Sequence, residues 1–78
     1  MKVLIVEDDP DLAGGLITAL KNEGFIVSHA ALGEEAKAQI TQFQPDMVIL
    51  DLGLPDMDGL DVLQSVRNRP ADIAVLIL

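Results

Sequence analysis

Two unbroken apolar runs, Val3-Leu4-Ile5-Val6 and Met47-Val48-Ile49-Leu50, each lead into acidic residues, and they restrict the possible folds of this chain more than any other feature. A strand with one face in water alternates apolar and polar side chains. An uninterrupted run implies burial on both faces, the habit of a parallel sheet with helices above and below it. Ile73-Ala74-Val75-Leu76-Ile77-Leu78 reads the same way, whereas Phe25-Ile26-Val27-Ser28-His29 is shorter and turns polar, as an edge strand does. Between the strands the spacing becomes helical: Leu12, Leu16 and Leu20 with Ala13 and Ile17, then Ala36, Ile40 and Phe43, then Leu60, Leu63 and Val66 with Val62.

Local signals bound each helix. Pro10 suits a first helical position with Asp8 or Asp9 as its cap, and Asp58 can cap the third helix. Gly24, Pro45 and Pro70 stand where the helical period stops. Gly14 and Gly15 inside the first helix cost roughly 1 kcal/mol each relative to alanine, and close packing of that helix on the sheet is the expected reason for them. The order is β-α-β-α-β-α-β, which right-handed crossovers turn into a doubly wound α/β sheet.

Composition removes several functions. A chain of 78 residues is one domain at most, and its 50% apolar content excludes a disordered tail. A net charge of −8 would repel nucleic-acid phosphates, so direct contact of this segment with DNA or RNA is not expected. The absence of cysteine excludes disulfides, thiolate metal sites and cysteine nucleophiles. The apolar runs are too short to span a bilayer and no secretory signal precedes them, so the expectation is a cytoplasmic protein without membrane contact.

Eight of the 13 acidic residues fall in two short stretches: Glu7, Asp8, Asp9 and Asp11 after the first strand, and Asp51, Asp56, Asp58 and Asp61 at or after the third. In an open parallel sheet both stretches lie at the carboxyl edge, where ligands bind. Carboxylates converging there repel one another or require a cation. An oxygen-only ligand set favours a hard cation, and so few ligands suit Mg2+ better than calcium. Asp9, Asp11, Asp58 and Asp61 have an ordinary explanation in the helix dipole. Asp56 reads as a solvated loop residue. Asp8 and Asp51 differ, because each stands where a buried run ends and desolvation must be offset. Glu7 reads equally well as a member of the same pocket or as an ordinary surface acid.

Other chemistries fit poorly. The turn after the first strand is Glu7-Asp8-Asp9-Pro10, without the glycines of a nucleotide cradle. Asp56-x-Asp58-Gly59 matches part of a calcium loop but lacks the later bidentate Glu. His29 has no nucleophile or acid at a catalytic spacing and reads as solvated or structural. A carboxylate fixed beside Mg2+ is a competent nucleophile toward phosphorus, and Asp51 is the candidate, with the Gly53 carbonyl free to face the cation. Two readings share this chemistry, a phosphoryl receiver and a hydrolase of the haloacid dehalogenase type. The hydrolase places a second Asp two residues after its nucleophile, where this chain has Gly53, which argues against rapid turnover.

Val3-Leu4-Ile5-Val6-Glu7-Asp8-Asp9, Lys21-Asn22-Glu23-Gly24-Phe25, Gly33-Glu34-Glu35-Ala36, Pro45-Asp46-Met47-Val48-Ile49-Leu50-Asp51 and Leu54-Pro55-Asp56-Met57-Asp58-Gly59 resemble the receiver domain of bacterial two-component response regulators, most closely those of the OmpR/PhoB type. The resemblance implies a CheY-like sheet of strand order 2-1-3-4. It implies Asp51 as phospho-acceptor, with Mg2+ held by Asp8, Asp51, the Gly53 backbone carbonyl and, through water, Glu7. A sensor histidine kinase would donate the phosphoryl group, making this a signalling acceptor rather than an enzyme.

Because the chain stops inside an apolar run, residues 1–78 are expected to be the N-terminal part of a single receiver domain. Its fifth strand and last helices, with the Ser or Thr and the Lys that read the phosphoryl group, would lie beyond Leu78. DNA would be bound by a C-terminal domain of the parent protein. Apolar side chains of the first, third and fourth strands are then expected to be exposed on one sheet face, favouring self-association into a homodimer. The alternative function is an interaction fragment that does not undergo phosphotransfer.

Overall fold

The two apolar runs form the central strands of a four-stranded parallel sheet. The computed structural model describes residues 1–69 and 72–78. Its elements are β1 (Lys2–Val6), α1 (Pro10–Asn22), β2 (Ile26–Ala30), α2 (Gly33–Gln42), β3 (Met47–Leu50), α3 (Gly59–Arg67) and β4 (Ala74–Ile77). The strand order is β2-β1-β3-β4, as the resemblance implies, with every neighbouring pair parallel.

Alternation along the strands builds a core on each face of the sheet. Leu4, Val6, Val48 and Leu50 point to one face, where Ala36 and Ile40 of α2 and Val62 and Val66 of α3 cover them. Val3, Ile5 and Ile49 point to the other, where Leu16, Ile17 and Leu20 of α1 close over them. Each fully buried Val, Leu or Ile among them contributes roughly 1.5–3 kcal/mol.

The helix boundaries follow local chemistry. Asp9 is the cap of α1, its Oδ1 accepting from the N–H groups of Asp11 at 3.0 Å and Leu12 at 3.4 Å, and Pro10 opens the helix. Gly24 ends it at φ 91°, a left-handed conformation that suits glycine. The Gly24 and Phe25 N–H groups then bond the carbonyls of Lys21 and Leu20 at 3.0 and 3.1 Å. Gln44 makes the turn before Pro45 at φ 53°. Pro70, read as the stop of the third helix, lies outside the described residues.

Three expectations require correction. Gly14 and Gly15 are solvent-exposed and do not pack on the sheet, since a Cβ at either position would meet nothing within 4 Å. Ala13, Leu16, Ile17 and Leu20 occupy the inward stripe of α1, which turns residues 14 and 15 outward. Leu12 and Leu60, counted among the apolar spacings, are exposed as well. Strands β1 and β3 are not bare on one face: α1 covers it, leaving Val3 1%, Ile5 0% and Ile49 5% exposed. Among the apolar strand residues expected to be bare, exposure is confined to the β4 end of the sheet, at Ala74, Leu76, Ile77 and Leu78.

The outward position of the two glycines has a measurable consequence. Gly14→Ala and Gly15→Ala should each stabilise the chain by about 0.5–1 kcal/mol, because alanine restricts the unfolded chain and meets no obstacle in the helix. The effect should appear as a higher urea midpoint at unchanged m-value. A lower midpoint would show that this side of α1 is in contact with other atoms.

Candidate functional site

The register of β1 against β3 assembles the site. Val6 pairs with Leu50, and the Asp51 N–H continues the ladder onto the Val6 carbonyl at 3.0 Å. Residues 3, 5 and 7 therefore share a sheet face with residues 47, 49 and 51, so Glu7 and Asp51 emerge side by side above Ile5 and Ile49. Asp8 follows as the chain turns into α1. One carboxylate oxygen from each of Glu7, Asp8 and Asp51 lies within 4.8 Å of the others, the sole acidic trio of this kind among the described residues.

Glu7 is the unusual member. It is 3% exposed, whereas Asp51 is half-buried and Asp8 open to solvent. Its Oε1 accepts from the Asp9 N–H at 3.1 Å, but its buried Oε2 has no hydrogen-bond partner. Burial raises the pKa of this carboxyl, the Asp9 N–H partly opposes the rise, and the neighbouring carboxylates of Asp51 and Asp8 add to it. An orphaned buried acceptor beside two further carboxylates is the electrostatic environment that a hard cation relieves. The side chains present therefore fit an oxygen-liganded divalent ion.

The segment after β3 is held by its own chain. Asp51 Oδ1 accepts from the Gly53 N–H at 3.0 Å, and the Gly59 N–H bonds the Leu52 carbonyl at 3.0 Å. Gly59 admits this close approach because a Cβ there would fall 2.5 Å from Leu52 Cα. Asp58 caps α3 through the Leu60 N–H at 3.0 Å. His29 is exposed, with Nε2 at 2.8 Å from the Glu7 main-chain oxygen. A carbonyl only accepts, so Nε2 carries the proton in that contact.

The structure thus brings Glu7, Asp8 and Asp51 together and buries Glu7, the one of the three for which the residues alone left the pocket and surface readings equally open. Asp56 is an exposed loop residue outside the trio, as expected, but it has a further role. Instead of being merely solvated, its carboxylate reaches across to the start of α2, where Oδ1 accepts from the Gly33 N–H at 2.7 Å and Oδ2 from the Glu34 N–H at 3.1 Å. Chiefly the Gly33 N–H lowers its pKa. The only available signal was a carboxylate in a loop whose topological neighbour is a helix start. With Asp56 and Asp58 capping different helices, the partial calcium-loop pattern has no common focus.

Comparison with known proteins bears on the family and the fold. The family described as response regulator receiver domain matches residues 3–78. Transcriptional regulatory protein PmrA of Pectobacterium parmentieri is 49% identical over 78 residues, covering all of this chain and 35% of its own length. Cell cycle transcriptional regulator CtrA of Caulobacter vibrioides is 41% identical over 78 residues, again all of this chain and 34% of its own length. The chain therefore spans about a third of these curated relatives. The non-phosphorylated HemR receiver domain of Leptospira biflexa superposes with a TM-score of 0.90 at 32% identity, covering 97% of this chain and 61% of that one. The BeF3-activated N-terminal receiver domain of Klebsiella pneumoniae RstA gives 0.86 at 29% identity, covering 99% and 67%. Among the described residues, no helix is long and apolar enough to cross a membrane.

The opposite shifts of Glu7 and Asp56 predict opposite pH dependences. Between the ordinary glutamate value and the raised value of Glu7, the folded chain binds more protons than the unfolded one, so Glu7 destabilises the fold as pH rises through that window. Asp56 contributes stability above the ordinary aspartate value, and this is lost as pH falls through its lowered value. Without divalent cations, Glu7→Gln should therefore raise the urea midpoint at pH 7, and the difference should vanish below the ordinary glutamate value. A Glu7→Gln midpoint at or below that of the parent at pH 7 would contradict the burial argument.

Proposed function

This chain belongs to the response regulator receiver family, and from that premise we propose that Asp51 accepts a phosphoryl group from a phosphohistidine of a sensor histidine kinase, with Mg2+ as cofactor. The observation that carries the proposal is the buried Glu7 with its unpartnered Oε2, set beside Asp8 and Asp51 at the carboxyl edge of the sheet. Asp8, Asp51 and the Gly53 carbonyl would hold the ion directly and Glu7 through water. When bound, Mg2+ neutralises the oxygens of the incoming phosphoryl group.

Asp51 supplies the nucleophile. One carboxylate oxygen attacks phosphorus in line, an O–P bond forms as the P–N bond to the donor imidazole breaks, and the imidazole nitrogen keeps that electron pair. The product is an acyl phosphate on Asp51. The Gly53 N–H holds Oδ1 of Asp51 at 3.0 Å and so limits the rotation of the attacking group. Residue 53 has no side chain that could activate water against the acyl phosphate. The chain accordingly acts as a signalling acceptor and turns over slowly at most.

Within a parent protein of the length of its relatives, this segment would work in the cytoplasm and control transcription through a C-terminal DNA-binding domain. Its own net charge of −8 keeps it off nucleic acid. In the 78-residue chain by itself, β4 lies at the edge of the sheet with Leu76 54% exposed, which supports pairing of two copies into a homodimer.

Two measurements test these proposals. Incubation with a labelled small-molecule phosphodonor and Mg2+ should give one label that is stable to acid and removed by base. It should be absent from Asp51→Asn and from samples treated with chelator. Label persisting in a folded Asp51→Asn variant would overturn the assignment. Sedimentation should show a dimer forming with concentration and Leu76→Lys shifting it toward monomer. A parent chain that stays monomeric at high concentration would refute self-association.

A further inference from the structure

Between Asp51 and α3 the chain runs through residues 52–58, and the hydrogen bonds that organise this segment are local except at one residue. The Gly53 N–H returns to Asp51, Gly59 to Leu52, and Leu60 to Asp58. Leu54 and Met57 pack against other elements, but Asp56 alone among the described residues of the segment hydrogen-bonds through its side chain to an element distant in the sequence. Its two oxygens each take one N–H from the first turn of α2, more than 20 residues earlier in the chain. Both bonds are charge-assisted, and both lie at the positive end of the helix dipole. Met57 completes the contact, since its side chain fills the space that a Cβ of Gly33 would occupy.

We propose that Asp56 is a positioning residue for Asp51: by fastening segment 52–58 to the amino end of α2, it fixes the direction in which the Asp51 carboxylate and the Gly53 carbonyl face the cation. The inference rests on reading Asp51 as a cation ligand and phospho-acceptor, but the mechanical link is independent of that reading. A released segment can turn its backbone at Gly53, and the bond from the Gly53 N–H to Asp51 Oδ1 turns with it. Metal ligands whose supporting bonds are lost keep their identity and lose their preorganisation. The lowered pKa of Asp56 agrees with a carboxylate held in its charged form by these two N–H groups.

Helix stability alone is a rival explanation, and the structure supplies its control. Glu35 also serves the start of α2, with Oε1 accepting from the N–H groups of Ala31 at 3.2 Å and Leu32 at 3.1 Å. None of those partners belongs to segment 52–58. Glu35→Ala therefore loosens the same helix end without releasing the Asp51 segment.

The test compares Asp56→Ala, Asp56→Asn and Glu35→Ala in the 78-residue chain. Mg2+ affinity is measured by calorimetric titration, and hydrogen exchange is followed at the amides of Gly53 and Gly59. Asp56→Ala should weaken Mg2+ binding roughly 10-fold, the lower end for loss of a group that orients metal ligands. Asp56→Asn, which keeps one acceptor oxygen and loses the charge, should fall between Asp56→Ala and the parent. Exchange at Gly53 and Gly59 should accelerate in both Asp56 variants, while Glu35→Ala leaves exchange and affinity at the parent values. Equal effects from Glu35→Ala and Asp56→Ala, or unchanged Gly53 exchange in a folded Asp56 variant, would overturn the proposal. If the parent chain takes no phosphate label while Asp56→Ala still frees the Gly53 amide, phosphotransfer fails and the positioning role stands. Normal labelling with unchanged exchange gives the converse result.

Discussion

Parallel pairing of β1 with β3, in the one register that puts Val6 beside Leu50, is the constraint on which the acidic pocket depends. The register is held by apolar burial on both faces, with Leu4, Val6, Val48 and Leu50 under α2 and α3 and Val3, Ile5 and Ile49 under α1. A slip of β3 by one residue would exchange its two faces and carry Asp51 toward the larger apolar cluster, where a carboxylate would be desolvated without a partner. The same packing that stabilises the sheet therefore decides which acids meet at its edge.

The acids themselves divide by environment. Asp9 and Asp58 each cap the helix that follows them, and Asp56 caps a helix reached across the fold, so all three exchange water for main-chain N–H groups. Glu7 loses water without full replacement, and its pKa moves in the opposite direction from that of Asp56. The pocket is thus a place where stability has been given up locally. A structure built only for stability would not leave an unpartnered carboxylate oxygen under the end of its central strand.

Legibility in the sequence varied with the range of the interaction involved. The strands, the helix caps at Asp9 and Asp58, the turn at Gly24 and the edge position of β2 all rest on neighbours in the chain, and each could be read. Gly14 and Gly15 were misjudged because their cost inside a helix suggested compensation by close packing, whereas the inward stripe of Ala13, Leu16, Ile17 and Leu20 turns them outward. The expected bare face of β1 and β3 failed for a related reason, since the sequence does not show how much of the sheet one helix can cover. Asp56 was missed because nothing near it in the chain indicates that the start of α2 lies opposite.

The sequence by itself determined the class of fold and singled out Asp8 and Asp51 among the clustered acids, leaving the place of Glu7 open. Unbroken apolar runs have one economical solution, a sheet covered on both faces, and a carboxylate at the end of such a run must come out at its carboxyl edge. Only the tertiary structure decided that Glu7 is buried and unpartnered, that Asp56 holds α2, and that exposure of the central strands gives way to exposure at β4. The physical reason is that desolvation and capping depend on which atoms fill the space around a group, and those atoms come from segments that are remote in the chain until the sheet register and the helix packing bring them together.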